Sequence, residues 1–566
     1  MNLHKDQPSL QGIAERYWNF IREERPLLAL AAGQPSEGDL LRESPQDAER
    51  RARRAHGFLA ELDALAPDDL PAHDRATLLL MREELGLLRN AVEVDAHLRP
   101  SVFPLGPEFS LMYAANITTL LSLEDAERWL ERLASVPRSI GSVRESLHAG
   151  LEAGISVPRL SLERAAGNVE ALFAAIETNP LHGPFARAAG RLTGITALAS
   201  RSERLLRDEV LPALHAYQDF LGAGPLLDRA RDSVACTDAP KGREYYEHLV
   251  RQFATVDDPP EAIHELGLSE VARLAGDMLV TAAEAGFDGD LRGFQQSLRD
   301  DPGQFAASGE ALRERIEVLS KRIEARLPAF FGRLPRITYG VQSIPESIAA
   351  KMPPAYAQPN PADRSSPGIH WITSVPTMCP AYIHLPLALH EAWPGHLMHL
   401  ALIQEQEHLP SFRRYGALGY SACLEGWALY CERLGEDLGF YDTPQKRYGR
   451  LEMEMWRAVR LVVDTGLHVY GWTREQAIDY AMRYMAMPRA TLEAEVDRYI
   501  SMPGQALAYQ LGNLKFRDLR SRAEKRLGNR FRIRDFHDAL MAAGPVTLPI
   551  LDTLIQDWID RQATRQ

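Results

Sequence analysis

The chain reads as a mainly α protein of many packed helices with one small β element. Apolar residues recur at spacings of three and four along most of the 566 residues, and Ala and Leu are abundant throughout. Only the stretch 335–380 departs from this pattern, gathering prolines around short runs of β-branched and aromatic residues. At 45% hydrophobic and 25% charged, the composition is that of ordinary globular material, and the length suits two or three domain-sized cores.

From residue 10 to 235 the periodicity predicts amphipathic helices over 47–65, 72–89, 123–134, 140–153, 160–178 and 184–221, the last with breaks. Pro, Gly or Asp punctuate the gaps, no fixed period of the solenoid kind appears, and 101–106 reads as a loop. Helices over 242–253 and 258–284 open a second series, which ends near Phe331. The division is therefore placed at 240: residues 1–240 as an N-terminal helical half forming one wall of a cleft, and 241–566 as a catalytic helical half. Within 335–380 the strand candidates are 337–340 and 369–373, and this segment is a candidate edge for an extended substrate. Further helices are expected from Tyr382 through His390, from Glu425 to about Leu438, and over 457–470, 489–500, 532–542 and 548–559.

Several classes are excluded. A net charge of −13 argues against nucleic acid, whose phosphates need clustered Lys and Arg. The first residues lack the pattern of a secretory signal and no run of about 18 apolar residues follows, so a cytoplasmic location with no membrane partner is expected. Cys236, Cys379, Cys423 and Cys431 are too sparse for a disulfide framework and read as buried thiols.

The chemistry concentrates in His390-Glu391-Ala392-Trp393-Pro394-Gly395-His396, with Glu425 downstream. Two imidazoles and a carboxylate are a ligand set for catalytic zinc, which keeps one position open for water. The six-residue step from His390 to His396 turns an unbroken helix by roughly 600° and would put the rings on different faces. Pro394 and Gly395 therefore predict a kink or bulge that returns His396 to the metal. Glu425 is preferred as third ligand over Glu432, which lies two turns on and nearly on the same face. His399 shares a face with His396 and is read either as a neighbour of the ligands or as a competing one. Asp464 and His468, four apart on one helix, are placed to orient one another.

These residues resemble the bacterial family known as domain of unknown function 885, itself similar to helical zinc peptidases such as angiotensin-converting enzyme, thimet oligopeptidase and the thermostable carboxypeptidases. The likeness extends through Val463-Asp464-Thr465-Gly466-Leu467-His468, Gly471-Trp472-Thr473, Arg498-Tyr499 and Pro503-Gly504-Gln505-Ala506-Leu507-Ala508-Tyr509. The chain departs from the family at Leu397 and His399, where another His and a Gln are usual. The resemblance implies a zincin-like metallopeptidase fold with a deep cleft, one Zn2+ on His390, His396 and Glu425, and hydrolysis of short peptides. It implies Glu391 as general base, Tyr509 and His468 as oxyanion donors, and Arg498 as the holder of a carboxylate. A non-peptide amidase would use the same residues; a purely binding protein would not need Glu391.

Overall fold

A helix of 30 residues, Leu123–Glu152, shows how the chain turns its periodicity into packing in the first of its two compact units. Ser122 caps it in a reciprocal box with Asp125, and Trp129, Leu133, Val136, Ile140, Val143 and Leu147 bury one stripe. Helices Pro107–Ile117, Ile195–Leu205 and Leu211–Gly222 pack on it, and the Trp129 indole donates to the Leu181 carbonyl at 3.1 Å. The sequence predicts a break between 134 and 140, yet the helix runs through Pro137. Burial on both sides of the proline outweighs the hydrogen bond it cannot donate. The region expected as one helix over 160–178 instead stops at Glu170.

The computed structural model describes residues 9–34, 38–67, 70–349, 352–362 and 364–564. The expectation of no secretory signal rests on residues 1–11, of which the first eight lie outside the described residues. The first unit comprises 1–67, 81–248 and 497–503; the second comprises 68–80, 249–496 and 504–566.

The second unit is organised by six helices: α1 (Pro260–Glu284), α2 (Ala381–Glu391), α3 (His396–Gln404), α4 (Ser421–Leu434), α5 (Pro444–His468) and α6 (Ala508–Leu527). α5 is buried from Tyr448 to His468 on every face, and it begins thirteen residues earlier than the sequence predicts. Charged residues along it are buried, several of them in ion pairs such as Arg450 with Glu454 at 2.7 Å, so the apolar period that would have revealed its first half is absent. Close approaches are made at glycines. α1 lies along α5, where a Cβ at Gly267 would stand 2.7 Å from that of Leu461. At the start of α5, a Cβ at Gly449 would stand 2.5 Å from the Tyr382 carbonyl carbon of α2. α4 crosses α6 with Gly426 against Gly512, where a Cβ on the former would stand 2.5 Å from the latter's Cα.

A three-stranded sheet lies beside α2 and α3: β1 (Tyr339–Ser343), β2 (Ala355–Gln358) and β3 (Gly368–Ile372), in the order β1-β3-β2. β3 runs parallel to β1, with Tyr339 opposite Gly368, and antiparallel to β2, with Ala355 opposite Ile372. β3, one of the two strand candidates, is paired on both sides, so any edge for a substrate belongs to β1 or β2. Its residues Gly368, His370 and Ile372 form the buried face, and Gly368 sits against Leu397 of α3. No helix among the described residues is long and apolar enough to cross a membrane.

Candidate metal centre

The predicted bend between the histidines is a full interruption. α2 ends at Glu391, α3 begins at His396, and the four residues between them turn the chain, with a cis Trp393–Pro394 peptide bond. Gly395 has φ −70° and ψ −135° and lies against the last turn of α2, so near that a Cβ would stand 2.5 Å from the His390 carbonyl carbon. Two neighbours hold this turn. The buried Trp427 indole of α4 donates to the Pro394 carbonyl at 2.9 Å, and the Tyr339 ring of β1 lies 5.4 Å from that of Trp393. His390 thus leaves the last turn of one helix and His396 the first turn of the next, with ring centroids 4.7 Å apart and planes at 89°.

Glu425 of α4 completes a triangle. Its Oε2 lies 3.3 Å from His390 Nε2 and 3.4 Å from His396 Nε2, and all three ligand atoms fall within 4.8 Å of one another. Ligands at about 2.1 Å from a tetrahedral zinc stand about 3.4 Å apart, so two sides of the triangle match such an ion. Glu425 Oε2 is buried and receives no hydrogen bond, which is the condition of an oxygen facing a cation. The electrostatics agree. Burial pulls the His390 imidazole down, but the Glu425 and Glu432 carboxylates outweigh it and hold the ring raised to about 9. Burial pushes the Glu425 carboxyl up, and the His396 and His390 imidazoles more than reverse this, holding it well below the usual carboxylate range. The cluster favours added positive charge, and the residues fit a divalent metal held by two nitrogens and one oxygen.

Glu432, weighed from sequence as a rival ligand, serves the opposite side of the ring: His390 Nδ1–H donates to its Oε1 at 2.8 Å. That bond commits Nδ1 to Glu432 and leaves Nε2 as the nitrogen facing the triangle. The Tyr441 hydroxyl donates to the Glu432 carbonyl at 2.7 Å, and Arg457 Nη2 of α5 reaches Oε1 at 3.5 Å. Sequence reasoning gave none of these three residues an orienting role. For Glu432 the i+7 spacing was the available signal; for Arg457 nothing local was.

Glu391, one residue past His390, is half-buried, and its charge helps raise the His390 imidazole. His399 is outside the ligand group: it is buried 5.8 Å from the Trp427 ring, and burial together with His396 lowers it to about 3. Cys423 and Cys431 are buried free thiols, the former pushed up to about 11 by burial. His468 is fully buried at the end of α5, where Asp464 accepts the Gly504 backbone N–H with both oxygens at 3.0 and 3.2 Å. Tyr509 lies in the first turn of α6, three residues before Gly512. Its ring is stacked under the Arg460 guanidinium at 4.2 Å, and its hydroxyl accepts from Gln505 at 3.5 Å. Arg498 belongs to the first unit and stacks on Tyr499 at 4.9 Å. His370 of β3, given no role from sequence, is fully buried with no hydrogen bond on either ring nitrogen, and burial with the nearby His390 lowers it to about 4.

Comparison with known proteins places this arrangement in a family. No curated protein matches the chain. Among solved structures it is similar to a candidate lipoprotein from Colwellia psychrerythraea, 27% identical, with a TM-score of 0.90 over 98% of this chain and 99% of the other. A candidate lipoprotein of unknown function from Shewanella oneidensis shares the fold at 17% identity and a TM-score of 0.76, over 97% and 100% of the two chains. The family profile described as "Bacterial protein of unknown function (DUF885)" matches residues 26–555, and the chain belongs to that family.

Proposed function

We propose that this protein is a zinc-dependent hydrolase of peptide bonds in short peptides, with a zincin-like fold and a deep cleft. The observation that carries the reading is the convergence of His390, His396 and Glu425, with the far nitrogen of His390 already committed to Glu432. Two imidazoles and one carboxylate suit zinc and leave room for water, whereas a structural site closes with four protein ligands. When bound, the metal lowers the pKa of water and polarises the scissile carbonyl.

The remaining work falls to this chain's side chains. Glu391 takes the proton from the attacking water and delivers it to the leaving nitrogen, which its place beside His390 allows. Tyr509 donates its hydroxyl to the oxyanion, with Arg460 and Gln505 restraining the ring and the hydroxyl. His468 is a second candidate donor to the oxyanion. The substrate is a short peptide met in the cytoplasm, and no nucleic acid takes part.

Elemental analysis of purified protein, paired with cleavage of a mixed short-peptide library, tests this. Wild type is expected to carry about one zinc and to cleave. His396→Ala is expected to lose the metal, and Glu391→Gln to keep it without cleaving. Absence of metal from wild type, or full metal in His396→Ala, would sink the ligand assignment; metal without cleavage of any peptide would sink the peptidase reading.

A further inference from the structure

We infer that Arg457 is a positioning residue for the metal centre, acting on His390 through Glu432; the inference rests on the metal reading above. Arg457 lies on α5, far in sequence from every ligand, and is 4% exposed. Its guanidinium is tied down twice on its own helix. Nη1 donates to the Met453 carbonyl at 3.1 Å, and the group stacks 4.8 Å from the Trp456 ring centroid. So fixed, it presents Nη2 at 3.5 Å to the same Oε1 that accepts from His390 Nδ1 at 2.8 Å.

That shared oxygen couples the guanidinium to the imidazole. Glu432 is 1% exposed and its other oxygen, Oε2, has no hydrogen-bond partner, so the carboxylate is held only through Oε1 and its backbone. Among the described residues Arg457 is the cation in ion-pair reach of Glu432 apart from the ligand imidazole itself. A guanidinium costs more to bury than an apolar residue of the same volume, and a pair such as Arg457 with Glu432 is weak support for a fold. What the pair supplies is direction. Arg457 fixes where Oε1 stands, Oε1 fixes the plane of the His390 ring, and the ring plane aims Nε2 at the triangle with His396 and Glu425.

The test is zinc affinity by chelator competition, together with the visible spectrum of the cobalt-substituted protein, for wild type, Arg457→Met, Arg457→Lys, Glu432→Gln and the Arg457→Met/Glu432→Gln double variant. Glu432→Gln, which alters the direct outer partner of a ligating histidine, is expected to weaken zinc by about 10-fold or more, and Arg457→Met, one contact further out, to weaken it by a smaller measurable factor and to alter the cobalt spectrum. Arg457→Lys is expected to recover part of the affinity, and Arg457→Met to add nothing in the Glu432→Gln background. A folded Arg457→Met with wild-type affinity and spectrum overturns the inference, as does an equal loss with or without Glu432. Should Arg457→Met fail to fold, Arg457→Lys and Glu432→Gln decide: wild-type affinity in both is the overturning result. Wild type that binds no zinc would fail the metal reading instead, which separates the two.

Discussion

Replacing Gly395 with alanine adds one methyl group where the turn after α2 presses on the helix it has just left. That carbon would stand 2.5 Å from the His390 carbonyl carbon and closer to the Leu389 and His390 oxygens, whereas ordinary van der Waals contact begins at 3.4 Å. The neighbour is backbone, so nothing can swing aside. Relieving the carbon contact alone moves the last turn of α2 or the start of α3 by about 0.9 Å, and the closer oxygens require more, while metal–ligand distances tolerate only ~0.2 Å. Both elements carry a proposed ligand, so the movement falls on His390 or His396. Overpacking of this kind costs about 1–3 kcal/mol of stability. The loss of zinc affinity is expected to exceed the ~10–100-fold that follows removal of an outer hydrogen bond, because a ligand itself is displaced. Zinc titration against a chromophoric chelator reads the affinity, and thermal melting of the metal-free protein reads the stability. A Gly395→Ala protein that binds zinc with unchanged affinity would refute the reasoning.

Three further outcomes are expected. Glu391→Gln should lower turnover of short peptides by about 100- to 10,000-fold at unchanged zinc content, the span of a lost general base; steady-state kinetics on the metal-loaded variant would contradict this with a rate near wild type. Trp427→Phe removes the donor to the Pro394 carbonyl and should destabilise the metal-free protein by about 1–3 kcal/mol, read by urea denaturation; an unchanged midpoint would show that the turn does not depend on that bond. The buried Glu452 carboxyl is raised from its ordinary 4.5 to about 6, first by burial, against hydrogen bonds from the Ala486 N–H and the Tyr448 hydroxyl. A raised folded value stabilises below pH 4.5 and is lost as pH rises through 6, a change of about 2 kcal/mol. Glu452→Gln should therefore flatten the stability curve between those values, and parallel curves for variant and wild type would rule the assignment out.

The helical class was legible because amphipathic period survives wherever one face of a helix meets water. It failed at α5, whose buried charges erase that period, and at Pro137, where burial overrides a local breaker. β2 went unseen because four residues between prolines carry no alternation to count, and no sequence feature says which of three strands lies in the middle. The two histidines were readable as partners because Pro394 and Gly395 announce the turn that brings them together. Glu425 and Glu432 illustrate the limit: spacing put both near one helical face, but only coordinates separate the carboxylate facing Nε2 from the one facing Nδ1.

The crossing of α4 and α6 at Gly426 and Gly512 has a mechanical consequence. The two helices touch backbone to backbone there with no side-chain layer between them, and a Cβ at Gly512 would run into the Ala422 carbonyl. At that point the two helices have no side chains between them that could yield. Glu425 sits one residue before the crossing on one helix and Tyr509 three residues before it on the other. The backbone contact at the two glycines thus sets how the Cα atoms of Glu425 and Tyr509 are spaced, and their side-chain rotamers alone remain free to adjust the separation of carboxylate and hydroxyl.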